Sequence, residues 1–178
     1  MAHFAVTAVG ADRPGIVAAV AGVLMEQGGN LEDSSMTILG GHFAIMLIVD
    51  VPESASADSL GSALEGVAAD LDLTVTVRPI AELASGPPAG SSWSVSVYGA
   101  DRPGIVHAVT TLLASRSANI VDLSTRVVGE ASAPTYVMLL EVSLADAGAA
   151  VELAAELEAL AARLGVSASL NPSDADIL

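Results

Sequence analysis

The sequence contains no cysteine and no lysine, and only 3% of its 178 residues are aromatic. Without cysteine there is no disulfide, no thiolate metal ligand and no thiol nucleophile. All six basic residues are arginine, against 21 acidic residues, and the formal net charge is −15. The chain lacks the cations that displace counterions from nucleic acid or attract anionic lipid. Neither direct nucleic-acid binding nor membrane binding is therefore expected.

A long hydrophobic run is also missing. The longest, Phe43 to Val49, is too short to span a bilayer. No charged segment followed by an apolar stretch precedes the first strand-like residues, so a signal peptide is not indicated. We expect a cytoplasmic protein.

An exact internal repeat dominates what is present. Gly-Ala-Asp-Arg-Pro-Gly-Ile-Val occurs at Gly10 to Val17 and again at Gly99 to Val106, 89 positions later. Each copy follows an alternating run typical of a strand and precedes a run with helical apolar spacing. The repeat therefore predicts two strand-to-helix turns, and the whole chain is predicted to be a duplication.

Each residue type in the turn has a physical reason to be there. Pro14 fits the first helical turn, where its missing N–H has no intrahelical partner. Asp12 is predicted to cap the helix, and Gly15 lets the backbone approach another group. A helix N-terminus with such a glycine can receive a carboxylate or phosphate. The second copy repeats these features at Asp101, Pro103 and Gly104.

The rest of each half continues the duplication. Two amphipathic helices, two further strands and a final strand give the order strand-helix-strand-strand-helix-strand. This order predicts an α+β chain with two ferredoxin-like βαββαβ domains, each an antiparallel four-stranded sheet with two helices on one face. The predicted boundaries are domain 1 at residues 1–80, a Pro/Gly/Ser linker at 81–91, domain 2 at 92–172 and a tail at 173–178. Pro79 and Pro172 are expected to close the last strand of each domain.

The third strand of each half is apolar on both faces. The runs are Phe43 to Val49 and Tyr136 to Leu140. A half-solvated strand alternates more strongly, so these runs predict strands covered on both sides. The other half of the chain or a second chain would supply the second cover.

These features resemble the ACT domain. The resemblance rests on the Asp-Arg-Pro-Gly-Ile turn, on the Gly-Asn-Leu and Ala-Asn-Ile entries to the second strands, and on the βαββαβ order. It covers nearly the whole chain twice, and two tandem ACT domains without an enzyme are similar to the glycine cleavage system transcriptional repressor family. The resemblance implies a regulatory module that binds a free amino acid at a domain interface, against the first strand-helix turn and the start of the second strand. The ligand-binding positions it implies are Asp12, Gly15, Ile16, Asn30 and Leu31, and Asp101, Gly104, Ile105, Asn119 and Ile120.

The chemistry of these residues fits a zwitterion. Backbone N–H groups near Gly15 can receive the carboxylate, and the Asp12 carboxylate or the Asn30 carbonyl can accept from the ammonium group. The same residues have purely structural explanations as well. Asp12 can cap its own helix, and Asn30 can occupy a left-handed turn after Gly29.

No catalytic arrangement is indicated. The three histidines, His3, His42 and His107, do not have metal-ligand spacing, although His3 and His42 would approach each other if their strands pair suitably. No serine has an evident base partner, and the Gly10 to Gly15 turn is too short for a phosphate loop. Glu152, Glu156 and Arg163 are interpreted as a solvated helix face, and His107 as a solvent-facing helix residue. No cofactor or metal is expected.

The sequence thus predicts a non-catalytic amino-acid-binding regulator, expected to be a homodimer. Glycine or another small amino acid is the effector that the family resemblance implies. The negative charge requires that any effect on transcription pass through a partner protein. Two alternatives remain open. One is a regulatory subunit of an enzyme of amino-acid or one-carbon metabolism, and the other is a dimerisation module without a ligand.

Overall fold

The computed structural model describes residues 1–80, 90–130, 134–146 and 148–173, and the chain divides into two compact units, Met1–Ser85 and Gly86–Leu178. Residues 81–89 of the predicted linker and 174–178 of the predicted tail lie outside the described residues. Ser91, placed in the linker by its composition, is the first residue of a strand. The proposed domain boundaries otherwise remain predictions.

Each unit has the predicted order of elements. In unit 1 they are β1 (Ala2–Ala11), α1 (Ile16–Glu26), β2 (Asn30–Leu39), β3 (His42–Val51), α2 (Ala57–Leu71) and β4 (Leu73–Ile80). In unit 2 they are β5 (Ser91–Gly99), α3 (Ile105–Ser115), β6 (Asn119–Val128), β7 (Thr135–Leu144), α4 (Ala149–Leu164) and β8 (Val166–Pro172).

Both units form a four-stranded antiparallel sheet. The strand orders are β2-β3-β1-β4 and β6-β7-β5-β8. One face of each sheet packs on its two helices, where alternate strand residues such as Val6 and Leu47 meet Val20 and Leu60 in a single core. This arrangement confirms the predicted α+β class and the ferredoxin-like topology.

The apolar third strands are covered on one face only within each unit. Along β3, Phe43, Ile45, Leu47 and Val49 are buried, whereas Met46 is 49% exposed. Leu139 of β7 is similarly open at 42%. The second face of β3 and of β7 is therefore not covered by the same unit. Its burial against the other half or a second chain stays a prediction.

Antiparallel pairing corrects two expectations about strands. His3 pairs with Asp50 and His42 pairs with Ala11, so the two histidines lie at opposite ends of the β1–β3 pair. The prediction that they approach each other is wrong. Pro79 does not close β4, which continues to Ile80, because β4 is an edge strand where a missing N–H breaks no ladder bond.

No helix in the described ranges is both long enough and apolar enough to cross a membrane.

Candidate functional site

The two repeated turns have the same backbone geometry. Gly15 has φ 94° and ψ −7°, and Gly104 has φ 95° and ψ −8°, both in the left-handed region that favours glycine. Each glycine is the residue immediately before its helix, α1 or α3. Pro14 and Pro103 therefore precede the helices rather than opening them, and the prediction of a proline in the first helical turn is wrong.

The N-termini of α1 and α3 lack a side-chain cap from any described residue. No side chain in the described ranges accepts a hydrogen bond from the first N–H groups of either helix, whereas Ser56 and Ser59 form a capping box at α2. A Cβ added at Gly15 or Gly104 would meet nothing within 4 Å. Each turn therefore combines open space beside its glycine with N–H donors at the positive end of a helix dipole.

Asp12 does not cap α1. Its side chain is exposed, and its backbone N–H donates to the carbonyl of Gly41 at 2.9 Å, which ties the turn to the β2–β3 hairpin. The predicted capping role is wrong because Pro14 and Gly15 displace the start of the helix beyond its reach. The exposed Asp12 carboxylate lies beside the turn, and the exposed Asp101 holds the same place in unit 2.

The isoleucines of the turns belong to the core. Ile16 is 1% exposed and Ile105 is 2% exposed. Their side chains are held in the helix–sheet interior, so their contribution to a site at the turn is limited to the backbone N–H.

The asparagines that open the second strands lie far from the turns of their own units. Asn30 pairs with Asp50, and Asp50 pairs with His3 near the start of β1, whereas the turn follows Ala11 at its other end. His3 and Ala11 are eight residues apart, or about 26 Å along an extended strand. Unit 2 repeats this separation, since Asn119 pairs with Ser143 and Ser143 with Ser92. One unit therefore separates the predicted site residues into two groups, the turn half-site around Asp12 and Gly15 and the asparagine half-site around Asn30.

The asparagine half-sites differ between the units. In unit 1 the Nδ1 atom of His3 lies 3.3 Å from a carboxylate oxygen of Glu32 and 3.8 Å from one of Asp50. In unit 2 the Ser92 hydroxyl donates instead to Glu141 at 2.9 Å. Asp50 was not predicted as a neighbour of Asn30, and the contact of Glu32 with His3 was not predicted either, because both depend on the pairing of β1, β2 and β3.

The hydrophobic members of these half-sites are partly open. Leu31 is 41% exposed and Ile120 is half-buried. The pairing register shifts after each of them, between Leu31 and Asp33 and between Ile120 and Asp122.

The strands that carry these half-sites are exposed edges. All ten residues of β2 are exposed, including Met36, Ile38 and Leu39, at 49%, 49% and 68%. In β6, Val121 and Val127 are 51% and 55% exposed. An exposed edge with apolar side chains is a template for pairing with another strand.

The helix face interpreted as solvated contains an ion-pair network. Arg116, just after α3, donates through Nε to Glu156 at 2.8 Å and through Nη1 to Glu152 at 3.1 Å, and its Nη2 also contacts Glu156. The hydrogen bond from Arg116 lowers the pKa of Glu156 from its usual 4.5, and Glu156 raises the pKa of Arg116. The predicted solvent exposure is confirmed for Glu152, whose side chain is 72% exposed, and the Glu156 side chain is 40% exposed. The sequence did not predict their partner Arg116, because it lies just after α3, far from α4 in the chain.

Comparison with known proteins gives three results. The ACT domain model matches residues 2–78, and a second ACT domain model matches residues 93–159. The glycine cleavage system transcriptional repressor of Escherichia coli is 30% identical over 172 residues, which cover 95% of this chain and 89% of that protein. A UPF0237 protein of Methanopyrus kandleri is 40% identical over 79 residues, 44% of this chain and 88% of that one.

A solved structure agrees with these matches over the full length. The crystal structure of an unknown protein from Galdieria sulphuraria is 30% identical, has a TM-score of 0.80, and covers 97% of this chain and 98% of that one. The chain belongs to the ACT domain family, carries two ACT domains in tandem and is homologous to the glycine cleavage system transcriptional repressor.

Proposed function

We propose that the protein is a non-catalytic regulator that binds a free small amino acid at its two strand-helix turns. The observation that carries the proposal is the duplicated uncapped helix N-terminus. Gly15 and Gly104 have matching geometry, and open space lies beyond each. The sequences of the two halves differ at most other positions, yet both halves keep this turn geometry, which is suited to an anion.

The carboxylate of the amino acid would lie on the first N–H groups of α1 or α3, where the helix dipole favours negative charge. The adjacent Asp12 or Asp101 carboxylate would accept from the ammonium group. Glycine is the effector suggested by the name of the Escherichia coli relative.

The asparagine half-site would be supplied by a second copy of the chain. If the β2 edges of two copies pair antiparallel, the start of one β2 lies beside the end of the other. The end of β2 adjoins the turn, because Leu39 pairs with His42 and His42 with Ala11. A homodimer of this kind would bring Asn30 and Leu31 of one copy to Asp12 and Gly15 of the other. The exposed apolar residues of β2 support this arrangement.

Ligand binding would then strengthen the association between the β2 edges of the two copies. A ligand that contacts both half-sites has higher affinity for the paired state and shifts the population toward it. The surface offered to a partner protein in the cytoplasm would change accordingly. The net charge of −15 favours a protein partner over DNA for any effect on transcription.

Thermal unfolding in the presence of each of the twenty amino acids tests the proposal. Saturation at a hundred times the dissociation constant stabilises by about 2.7 kcal/mol and raises the midpoint by several degrees. The rise should be selective for one or a few small amino acids, and the double variant Asp12→Ala/Asp101→Ala should lose it.

The matched control is Glu65→Ala/Glu158→Ala. These glutamates occupy equivalent exposed positions on α2 and α4, and their removal changes the net charge by the same amount. The control should keep the rise. A flat panel on the folded wild type would contradict amino-acid binding and favour the ligand-free dimerisation module. Co-purification with a metabolic enzyme rather than a transcription factor would favour the regulatory subunit.

A further inference from the structure

A second candidate site lies on the helical face of unit 2, away from the β6 edge. The groove between α3 and α4 has a volume of about 720 Å³, within the range of small-molecule sites. Its lining combines an apolar floor with polar side chains: His107, Ala108, Thr111, Leu112, Ser115, Glu156, Ala159, Leu160 and Arg163.

The two ends of the groove differ in charge. Arg116 contacts Glu152 and Glu156 at the end of α3, while Arg102, before α3, approaches the carbonyl of Leu164 at the end of α4. The helices α3 and α4 therefore run antiparallel.

Glu156 is already held by Arg116, so one end of the groove is closed by an ion-pair network. His107 and Arg163 stand toward the opposite end, next to the N-terminus of α3.

Arg163 has no acidic partner in the part of the chain that the structure describes. It makes no ion pair there, and the residues three and four positions before it on α4 are Leu160 and Ala159. An acidic residue at that spacing is what would neutralise an arginine on a helix surface. In a chain with 21 acidic residues and six arginines, this leaves a cation open to a ligand at the edge of an apolar groove.

Comparison with unit 1 shows that the polar lining of the groove differs between the two units. The positions equivalent to His107, Thr111, Glu156 and Arg163 hold Ala18, Gly22, Ala63 and Asp70. Small residues in unit 1 thus replace the side chains that form the walls in unit 2. The charge at the open end is reversed, from Asp70 to Arg163. The duplication kept the apolar helix positions and changed the polar ones that line this groove.

We propose that the α3–α4 groove binds an organic monocarboxylate with an apolar tail. The tail packs on Ala108, Leu112 and Leu160, and the carboxylate pairs with Arg163 and accepts a hydrogen bond from His107. The site is distinct from the strand-helix turns and does not depend on the function proposed for them.

The probe for the test is 4-phenylbutyrate, with 4-phenylbutanol and 4-phenylbutylamine as neutral and cationic analogues. Binding to the full chain is followed by methyl NMR of Ala108, Leu112, Ala159 and Leu160. We expect 4-phenylbutyrate to shift these methyl signals and to bind about tenfold more tightly than 4-phenylbutanol, as expected for a charge-assisted contact. The amine should bind more weakly than the alcohol.

Three variants locate the site. Arg163→Asp, which installs the unit 1 residue, and Arg163→Gln, which removes only the charge, should each weaken 4-phenylbutyrate binding about tenfold and leave 4-phenylbutanol unchanged. Arg126→Gln, at an exposed arginine of β6, removes the same charge outside the groove and should leave both affinities unchanged. Equal affinity for the acid and the alcohol, equal losses in Arg163→Gln and Arg126→Gln, or shifts confined to the Gly15 and Gly104 turns would overturn the proposal.

Discussion

Gly10 of β1 lies directly across from Leu73 of β4, and no side chain fits at that crossing. A Cβ at Gly10 would come within 2.6 Å of the carbonyl oxygen of Asp72 and 2.7 Å of a methyl carbon of Leu73. Gly99 has the same relation to Val166 in unit 2, with a closest approach of 2.6 Å. The first glycine of the repeated octapeptide is thus required by the packing of β1 on β4, and only the second, at Gly15, faces open space.

Substitution of Gly10 should therefore destabilise unit 1. We expect Gly10→Ala to lower its free energy of unfolding by about 2 kcal/mol, because a backbone carbonyl cannot move aside as a flexible side chain can. Hydrogen exchange of β1 and β3 amides measures this loss. Gly22→Ala is the matched control, since nothing lies within 4 Å of a Cβ there and alanine favours the helix interior by about 1 kcal/mol. Destabilisation by both changes would contradict the steric explanation.

The ends of α1 and α3 supply a second prediction. Both helices end in a Schellman motif. Gly29 donates to Leu24, and Ala118 donates to Leu113, at 2.9 and 3.0 Å. The left-handed position is Gly28 in the first helix but Ser117, with φ 54°, in the second.

Ser117→Gly should therefore stabilise unit 2. A residue with a Cβ costs about 1 kcal/mol in this conformation, and glycine relieves it. Trp93, the only tryptophan, lies in β5, so its fluorescence reports the unfolding of unit 2. The reverse exchange, Gly28→Ser, should destabilise unit 1. A lower midpoint for Ser117→Gly would show that the serine side chain contributes more than the strain costs.

The Arg116 network predicts a dependence of stability on pH. The pKa of Glu156 is lowered in the folded protein, so the contribution of the pair to stability is complete above the unfolded pKa near 4.5. It is lost as the pH falls through the folded pKa. The free energies of unfolding of wild type and Arg116→Gln should therefore differ at pH 7 and converge at acid pH.

A carboxyl-carbon NMR titration checks the cause. Glu156 should titrate at a higher pH in Arg116→Gln than in the wild type. An unchanged titration of Glu156 would show that the pair does not persist in solution.

The periodicity of apolar residues was sufficient to predict the helices and strands, because it reflects which face of each element is buried. Ile16, Val20 and Leu24 repeat at helical spacing because one face of α1 must be buried, and all three are core residues. The start of α1 was misplaced because Asp12 is a good cap residue in general, whereas Pro14 and Gly15 move the start of this helix.

The arrangement of the candidate site was harder to predict from the sequence. Asp12 and Asn30 were grouped by the resemblance to the ACT domain, yet within one unit the helix between them carries the chain back to the far end of the sheet. Topology alone would have shown this separation. The exchange of Asp70 for Arg163 between the two halves was also visible in the repeat, but its meaning required the groove that α3 forms with α4.

The exposed edges give the last prediction. If β2 or β6 pairs with its equivalent in a second copy, a lysine on each edge should prevent association, because like charges would face each other across the new ladder. The double variant Ile38→Lys/Val127→Lys changes equivalent residues that are 49% and 55% exposed, so the folded units should tolerate it. Thr74→Lys/Ser167→Lys adds the same charge to the opposite edges, β4 and β8.

Sedimentation should show a dimer for the wild type and for Thr74→Lys/Ser167→Lys, and a monomer for Ile38→Lys/Val127→Lys. The monomer should also bind the amino acid more weakly than the dimer, because each turn would lack the asparagine half-site. A monomeric wild type, or dissociation by both pairs of lysines, would contradict association through β2 and β6. Unchanged ligand affinity in the monomeric variant would mean that the turn binds the amino acid without Asn30 or Asn119.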